Sequence, residues 1–144
     1  MLKTDDDILY IDKPWGYERI WEHTDKYIAK YIFIGKGHQL SRQYHESKEK
    51  TIYVLKGPLI LELGPDNEND EILTLGLLEG EAYRVRPEAV HRFCASSEFD
   101  VEIIEVGTPE LSDIIRLEDD YGRADPGAKK KRLKSKDERN ADGS

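Results

Sequence analysis

The chain has 144 residues, of which 38% are hydrophobic and 36% charged, and this composition is typical of a globular domain rather than of a fibrous or membrane protein. Its formal net charge of −8 argues against nucleic acid as a partner. A single cysteine, Cys94, excludes an intrachain disulfide and a four-cysteine zinc site, so we expect a reducing, cytoplasmic location. No apolar run is long enough to span a bilayer, and a membrane is therefore not expected as a partner.

Three regions follow one another along the chain. Residues 1–12 predict a polar N-terminal arm, and residues 13–123 carry a strand-like pattern that predicts the folded domain. Residues 124–144 form a basic tail of Pro, Gly, Lys and Asp with little apolar content, which predicts disorder.

The central region predicts an all-β fold. Segments rich in β-branched and aromatic residues alternate with Gly, Pro, Asn and Asp turns about every 8–12 residues, and no 3.6-residue period appears before residue 108. This pattern favours an antiparallel sandwich or barrel. A later segment, 111–117, is predicted as a short strand or one helical turn. The predicted strands are one that ends at residue 21, then 27–34, 40–45, 51–55, 59–63, 71–75, 81–85, 90–94 and 101–106.

Two short stretches about forty residues apart carry side chains that can bind a metal. Gln43 and His45 are two residues apart, so on a strand they point to the same face. His91 comes from the second stretch. If the three converge inside a small barrel, they form a compact polar site suited to a divalent metal or a sugar.

The two stretches together resemble the motifs of the cupin superfamily. Gln43 stands where most cupins have a first histidine, and this variant resembles the sugar-phosphate branch: the cupin-type mannose-6-phosphate isomerases and the matching domain of the mannose-1-phosphate guanylyltransferases. Further positions resemble that branch, namely Lys13-Pro14-Trp15-Gly16, Lys30, Leu40-Ser41-x-Gln43-x-His45 and His91-Arg92. The resemblance implies a single jelly-roll (cupin) β-barrel with short terminal extensions.

One position departs from the branch. Where the resemblance implies a metal-binding glutamate, this chain has Lys50, and the carboxylate of Glu49 is one residue too early for the same face. Two arrangements follow. Either a bulge turns Glu49 inward and the metal ligands are Gln43, His45, Glu49 and His91, or Lys50 points inward and its ammonium opposes a metal.

The resemblance also implies roles for other side chains. A metal held by nitrogen and oxygen ligands could be Zn, Mn, Fe, Co or Ni, and it would polarise a sugar carbonyl. Lys30 is implied as a phosphate-binding or catalytic residue, and Lys50 is a candidate for proton transfer if burial lowers its pKa. Further candidates for contacts with the substrate are Arg42, Tyr53 and Arg92.

Three functions follow from these observations. The first is a small cupin that binds or isomerises a phosphorylated or nucleotide-linked sugar, with or without the help of a bound metal. The second is a non-enzymatic ligand-binding cupin with a degenerate metal site, and the third is another metal-dependent cupin enzyme, a dioxygenase or lyase, against which Gln43 counts. The expected partner is a small molecule, most simply a sugar phosphate. We also expect a homodimer, with the arm at residues 1–12 supplying an edge strand.

Overall fold

The chain folds into two antiparallel β-sheets that face each other, as seen in a computed structural model that describes residues 1–65 and 70–128. A single 3₁₀ turn at Asp5–Asp7 precedes the strands. Within the described residues, no helix is long and apolar enough to cross a membrane. The strands are β1 (Leu9–Lys13), β2 (Gly16–His23), β3 (Ile28–Ile34), β4 (Arg42–Tyr44), β5 (Lys50–Lys56), β6 (Leu59–Leu63), β7 (Leu73–Leu77), β8 (Ala82–Val85), β9 (His91–Cys94), β10 (Val101–Gly107) and β11 (Ile115–Glu118).

The larger sheet has six strands in the order β1-β2-β3-β10-β5-β8, and the smaller has five in the order β11-β4-β9-β6-β7. Strands distant in sequence therefore become neighbours, which is how residues of β3, β5 and β10 meet on one surface. The predicted all-β fold class is confirmed, and each predicted strand is present with ends displaced by a few residues.

The ends of the chain refine two predictions. The segment left open at 111–117 contains a strand, β11, which pairs with β4. The arm is not wholly separate from the domain, because β1 starts at Leu9 and pairs with β2 of the same chain. The outer side of β1 remains the edge of the larger sheet, and the homodimer stays a prediction. Most of the predicted disordered tail, from residue 129 onward, lies outside the described residues.

The interior of the barrel has an apolar half and a polar half, which meet along the same strands. On the inner face of β3, Ile34 and Ile32 are followed by Lys30. On β5 the order is Val54, Ile52 and Lys50, and on β10 it is Val101, Ile103 and Glu105. Side chains two apart on a strand share a face, so each strand passes from the hydrophobic core into a charged region. The candidate functional site lies in that polar half.

Candidate functional site

Gln43, His45 and His91 come together inside the barrel, as the sequence predicts. Gln43 on β4 lies directly opposite His91 on β9 in the strand register, and residues opposite each other in an antiparallel pair share a face. His45 follows β4, and its ring centroid is 5.4 Å from that of His91. All three side chains are buried, with 4%, 5% and 0% of their surfaces exposed.

The hydrogen bonds of the two histidines fix which ring nitrogen is left without a partner, although only His45 lines the cavity and His91 is fully buried. The Nδ1 of His45 donates to the carbonyl of Asp113, and the Nδ1 of His91 donates to the carbonyl of Ala89 at 2.9 Å. A carbonyl oxygen only accepts, so each Nδ1 carries the proton and each Nε2 of the neutral ring is a free acceptor. Among the described residues, both Nε2 atoms and the Oε1 of Gln43 are buried and have no hydrogen-bond partner.

Both imidazoles are held in the neutral form. Burial, together with the nearby ammonium of Lys50, lowers the pKa of His45 to about 4. Burial and Lys50 likewise hold the pKa of His91 well below its ordinary value. At neutral pH the site therefore presents two unprotonated ring nitrogens and an amide oxygen.

Lys50 points into the barrel, which is the second of the two arrangements that the sequence left open. Its Nζ forms an ion pair of 2.9 Å with Oε1 of Glu105, and it lies 4.8 Å from the ring centroid of Phe93. Both distances are within the range of favourable charge-pair and cation–π contacts. Lys50 is 5% exposed and Glu105 is 1% exposed, so water screens this pair very little.

The Lys50–Glu105 pair is part of a charge row, which we define as Glu18, Lys30, Glu105 and Lys50. These residues lie on the four adjacent strands β2, β3, β10 and β5, and their charges alternate in sign. Lys30 Nζ is 3.0 Å from Glu18 Oε1, and it is 3.2 Å from Glu105 Oε2 as an ion pair rather than a well-aligned hydrogen bond. The row is electrically neutral as a whole, which allows four charges to lie inside a barrel.

The pKa values within the row follow from burial opposed by pairing. Burial alone would raise the pKa of Glu105, but the ammonium groups of Lys30 and Lys50 outweigh it and hold the pKa well below the usual range. Burial would lower the pKa of Lys30, whereas Glu105 and Glu18 reverse the direction and raise it. For Lys50 burial prevails and lowers the pKa, although Glu105 opposes the shift.

Gly107 permits the close packing of β10 against β5 beside Lys50. It lies opposite Lys50 in the register, and a Cβ atom at position 107 would be 2.7 Å from the carbonyl oxygen of Glu49 and 3.0 Å from the Cβ of Lys50. Only a residue without a side chain fits there without displacing the strand.

Four of the predicted site residues lie outside the cavity. Glu49 is not turned inward by a bulge, because its carboxylate pairs with Arg84 on the outer face. Tyr53 is 45% exposed. Arg42 pairs with Glu62 at 2.8 Å, and Arg92 donates to the carbonyl of Leu40 at 2.8 Å and pairs with Asp120 at 3.1 Å. These three substrate candidates and Glu49 are therefore not placed to contact a ligand inside the barrel, in contrast to the sequence-based expectation.

The cavity in the polar half has a volume of about 280 Å³ and a strongly cationic wall. Three acidic side chains line it, those of Glu18, Glu105 and Glu110. The cationic side chains that line it number six: Lys13, Lys30, Lys48, Lys50, Arg116 and Arg123. A chain with a net charge of −8 thus surrounds its cavity with an excess of positive charge, which favours an anionic ligand.

The connection between β10 and β11 closes one side of the cavity. The carboxylate of Asp113 accepts hydrogen bonds from the backbone amides of Glu46, Ser47 and Lys48 at 2.8–2.9 Å. Lys48 Nζ in turn donates to the carbonyls of Thr108 and Glu110. Asp113 thereby fixes both the loop after His45 and the His45 ring itself.

A divalent metal, which the fold family implies, fits the donors of this site but not its charge. The Oε1 of Gln43 and the Nε2 atoms of His45 and His91 are suitable ligands for a first-row metal. However, Lys50 acts on both imidazoles more strongly than Glu105 does, so the ring nitrogens lie in a positive field. An ammonium and a divalent ion about 4 Å apart repel by roughly 8 kcal/mol at an effective dielectric near 20. In the described part of the chain, no three His, Cys, Asp or Glu side chains converge as a metal site.

Several solved structures share the fold of this chain. The capsular polysaccharide assembling protein CapF from Staphylococcus aureus matches with a TM-score of 0.68 and 16% identity over 77% of this chain and 34% of CapF. Lactobacillus farciminis oxalate decarboxylase, in a formate complex, matches with a TM-score of 0.64 and 16% identity over 78% of this chain and 34% of the enzyme. KdgF from Halomonas sp. matches with a TM-score of 0.60 and 23% identity over 76% of this chain and 95% of KdgF. These identities establish a shared fold alone. The chain spans about a third of the length of CapF.

The comparison with protein families is more specific. A comparison with curated proteins gives no match. The family described as the mannose-6-phosphate isomerase C-terminal domain matches residues 5–119, which include all eleven strands described above and every residue of the charge row. The chain therefore belongs to the cupin family of mannose-6-phosphate isomerase C-terminal domains.

Proposed function

We propose that the chain binds a phosphorylated sugar in the barrel cavity, and that it does so without a metal. The observation that carries this proposal is the excess of cationic side chains around the barrel cavity of an acidic protein. The unpartnered Oε1 of Gln43 and Nε2 of His45, both of which line the cavity, offer acceptors for sugar hydroxyl groups. Family membership supports the class of ligand, since the matched family is named for a sugar-phosphate isomerase.

Metal independence follows from the position of Lys50. Lys50 stands at the position where the resemblance implies a metal-binding glutamate, and its ammonium points into the barrel and pairs with Glu105. A protonated lysine donates hydrogen bonds to a ligand oxygen and supplies positive charge to it. The ligand would therefore contact the ammonium group of Lys50 in place of a metal ion.

The test is isothermal titration of mannose 6-phosphate into protein treated with a chelator. We expect a Kd below about 1 mM, equivalent to about 4 kcal/mol of binding free energy, and binding of neutral mannose at least about tenfold weaker because it lacks the charge. His45→Gln should weaken binding, whereas His38→Gln, an exposed histidine outside the cavity, should leave it unchanged. Absence of binding to any sugar phosphate by the chelator-treated protein would end the proposal, and binding that appears only after a divalent metal is added would refute its metal independence.

Isomerisation of the same ligand is a second candidate function. It is favoured by the closeness of a cationic Lys50 to two histidines whose Nε2 atoms are unprotonated. In such a reaction His45 would take the proton from C2 of the open-chain aldose and return it to C1, while the hydroxyl proton passes from O2 to O1. Lys50 would stabilise the negative charge that develops on the carbonyl oxygen. Lys30, which ion-pairs with carboxylates on both sides, would keep Glu105 charged rather than contact the substrate.

A coupled assay for conversion of mannose 6-phosphate, run in the presence of a chelator, separates binding from catalysis. The isomerase hypothesis requires measurable turnover in the parent protein and a loss of at least about a hundredfold in kcat for His45→Gln, with His38→Gln unaffected. Binding without turnover would leave the chain as a sugar-phosphate-binding cupin.

A further inference from the structure

Four of the six cations around the cavity are already engaged by other groups, namely three lysines and Arg123, which is described below. Lys30 and Lys50 pair with the carboxylates of the charge row. Lys48 donates to two backbone carbonyls. None of these three lysines can become the main counterion of a doubly charged phosphate without breaking an existing contact, so the phosphate of a ligand must be bound elsewhere in the cavity.

The cations other than these three lysines are Lys13, Arg116 and Arg123, which we call the rim cluster. Lys13 is the last residue of β1, at the outer edge of the larger sheet, and Arg116 lies on β11, at the outer edge of the smaller sheet. All three line the same cavity. The rim cluster therefore joins the two sheets across the open side of the barrel.

The cluster has the electrostatics of an anion site. The Nε of Arg116 is buried and has no hydrogen-bond partner among the described residues. Burial lowers the pKa of Lys13, and Lys30, Arg116 and Arg123 lower it further, although Glu18 opposes them. Cations that repel one another at close range while one donor remains unsatisfied are stabilised when an anion binds between them.

The strand register places this cluster beside the imidazoles. Arg116 lies directly opposite Gln43, which lies directly opposite His91, so the three share the inner face of adjacent strands. With neighbouring strands about 4.8 Å apart, Arg116 and His91 are separated by roughly 10 Å across the sheet. Gln43 and His45 line the same cavity as Arg116, so a ligand with an anionic group at one end and hydroxyl or carbonyl oxygens at the other can contact Arg116 and these two side chains together.

Arg123 is held in place by its own carboxylate partner. Its Nε and Nη2 each donate to Asp119 at 2.9 Å, and Asp119 also accepts from the backbone amide of Arg123 at 2.7 Å. This fork fixes the guanidinium in the cavity wall, where it adds positive charge without being the principal donor. Lys13 and Arg116 are thus the two groups left to contact the anion directly.

We propose that Lys13 and Arg116, supported by Arg123, form a subsite for the phosphate of the ligand and orient its other end toward Gln43 and His45. This proposal rests on the proposed function and assigns the phosphate to residues other than Lys30, Arg42 and Arg92. Arginine binds phosphate through two parallel hydrogen bonds, so Arg116 provides the directional contact and Lys13 the point charge.

The experiment compares Lys13→Met and Arg116→Gln with Lys56→Met and Arg86→Gln. The last two substitutions remove the same charges from exposed residues outside the cavity. We expect each rim variant to bind mannose 6-phosphate about ten- to a hundredfold more weakly, which is the loss of one charge-assisted contact, with mannose affinity unchanged within about twofold. Affinities for mannose 6-phosphate within about twofold of the parent in both rim variants would overturn the subsite.

A second measurement keeps this subsite separate from the proposed function. Inorganic phosphate is titrated into the parent protein while the side-chain Nε–H resonances of the arginines are followed by NMR. A saturable shift of the Arg116 resonance, lost in Lys13→Met, supports the subsite even if no sugar phosphate binds. If neither phosphate nor a sugar phosphate moves that resonance, the subsite is refuted. If sugar phosphates bind the parent protein and the rim variants retain full affinity, the proposed function stands and the subsite fails.

Discussion

The Glu105→Gln variant is expected to lose a large part of its stability. Glu105 is 1% exposed and its two oxygens pair with Lys50 at 2.9 Å and Lys30 at 3.2 Å. The substitution keeps the shape of the side chain but removes the charge, which leaves the Lys50 ammonium buried without a compensating anion. Removal of one partner from a buried ion pair costs about 3–5 kcal/mol. For a domain of this size that loss lowers Tm by roughly 10 °C.

Urea unfolding of the parent and of Glu105→Gln measures the change in the free energy of unfolding. Glu79→Gln, which neutralises an exposed carboxylate, serves as the matched control and should change it by less than about 0.5 kcal/mol. The double variant Lys50→Met with Glu105→Leu removes both charges, and it should lie within about 1 kcal/mol of the parent, because an apolar pair replaces a buried ion pair at little cost. If Glu105→Gln alone costs less than about 1 kcal/mol, the charge row does not hold the polar half of the barrel as described.

Three further predictions concern protonation, loop anchoring and thiol reactivity. The pKa of His45 is about 4 in the folded protein and about 6.5 in the unfolded chain, so the unfolded chain takes up the proton first as the pH falls. The free energy of unfolding should therefore fall by up to about 3 kcal/mol between pH 6.5 and pH 4. Urea unfolding at pH 7.5, 6 and 5 tests this, and a flat pH profile that His45→Gln leaves unchanged contradicts it. Asp113→Ala leaves three backbone amides without a hydrogen-bond acceptor. It should lower the free energy of unfolding by about 2 kcal/mol in the same assay, and a loss below about 0.5 kcal/mol would show that the loop does not depend on this carboxylate. Burial raises the pKa of the Cys94 thiol to about 12, so a thiol reagent at pH 8 should react only as fast as the protein unfolds; rapid modification of the native protein would be inconsistent with the buried position.

The alternation of side chains along each strand predicts which residues face the cavity better than the sequence motifs do. Gln43, His45 and His91 were predictable because spacing and resemblance agree on them. Arg42 and Arg92 are direct neighbours of Gln43 and His91, so alternation already turns them to the outer face. Their motif positions suggested a ligand contact that the pleat of the strand does not allow.

The charge row was also encoded in alternation, although no motif marks it. Glu105 follows Val101 and Ile103 at two-residue spacing, and Lys50 precedes Ile52 and Val54 in the same way. A charged residue on an otherwise apolar face indicates a buried partner of opposite sign. What alternation cannot supply is the order of strands in the sheet, and therefore which lysine meets which glutamate.

The rim cluster could not be predicted without the tertiary structure. Lys13 and Arg116 are about a hundred residues apart, and they become neighbours only because β1 and β11 are the edges of the two facing sheets. Asp113 lies in a connection whose conformation depends on the loop it anchors. Contacts of this kind depend on loop geometry, for which short polar segments give little periodic signal.

The most direct test of the central claim is the number of metal ions bound per chain after equilibrium dialysis against Zn²⁺ or Mn²⁺. The position of Lys50 predicts that the parent protein binds no stoichiometric metal, and that Lys50→Glu, which supplies a carboxylate beside Gln43, His45 and His91, gains one ion per chain. Lys56→Glu makes the same charge change on an exposed residue of the same strand and should gain none. A stoichiometric ion in the parent, removed by His45→Gln, would contradict the account.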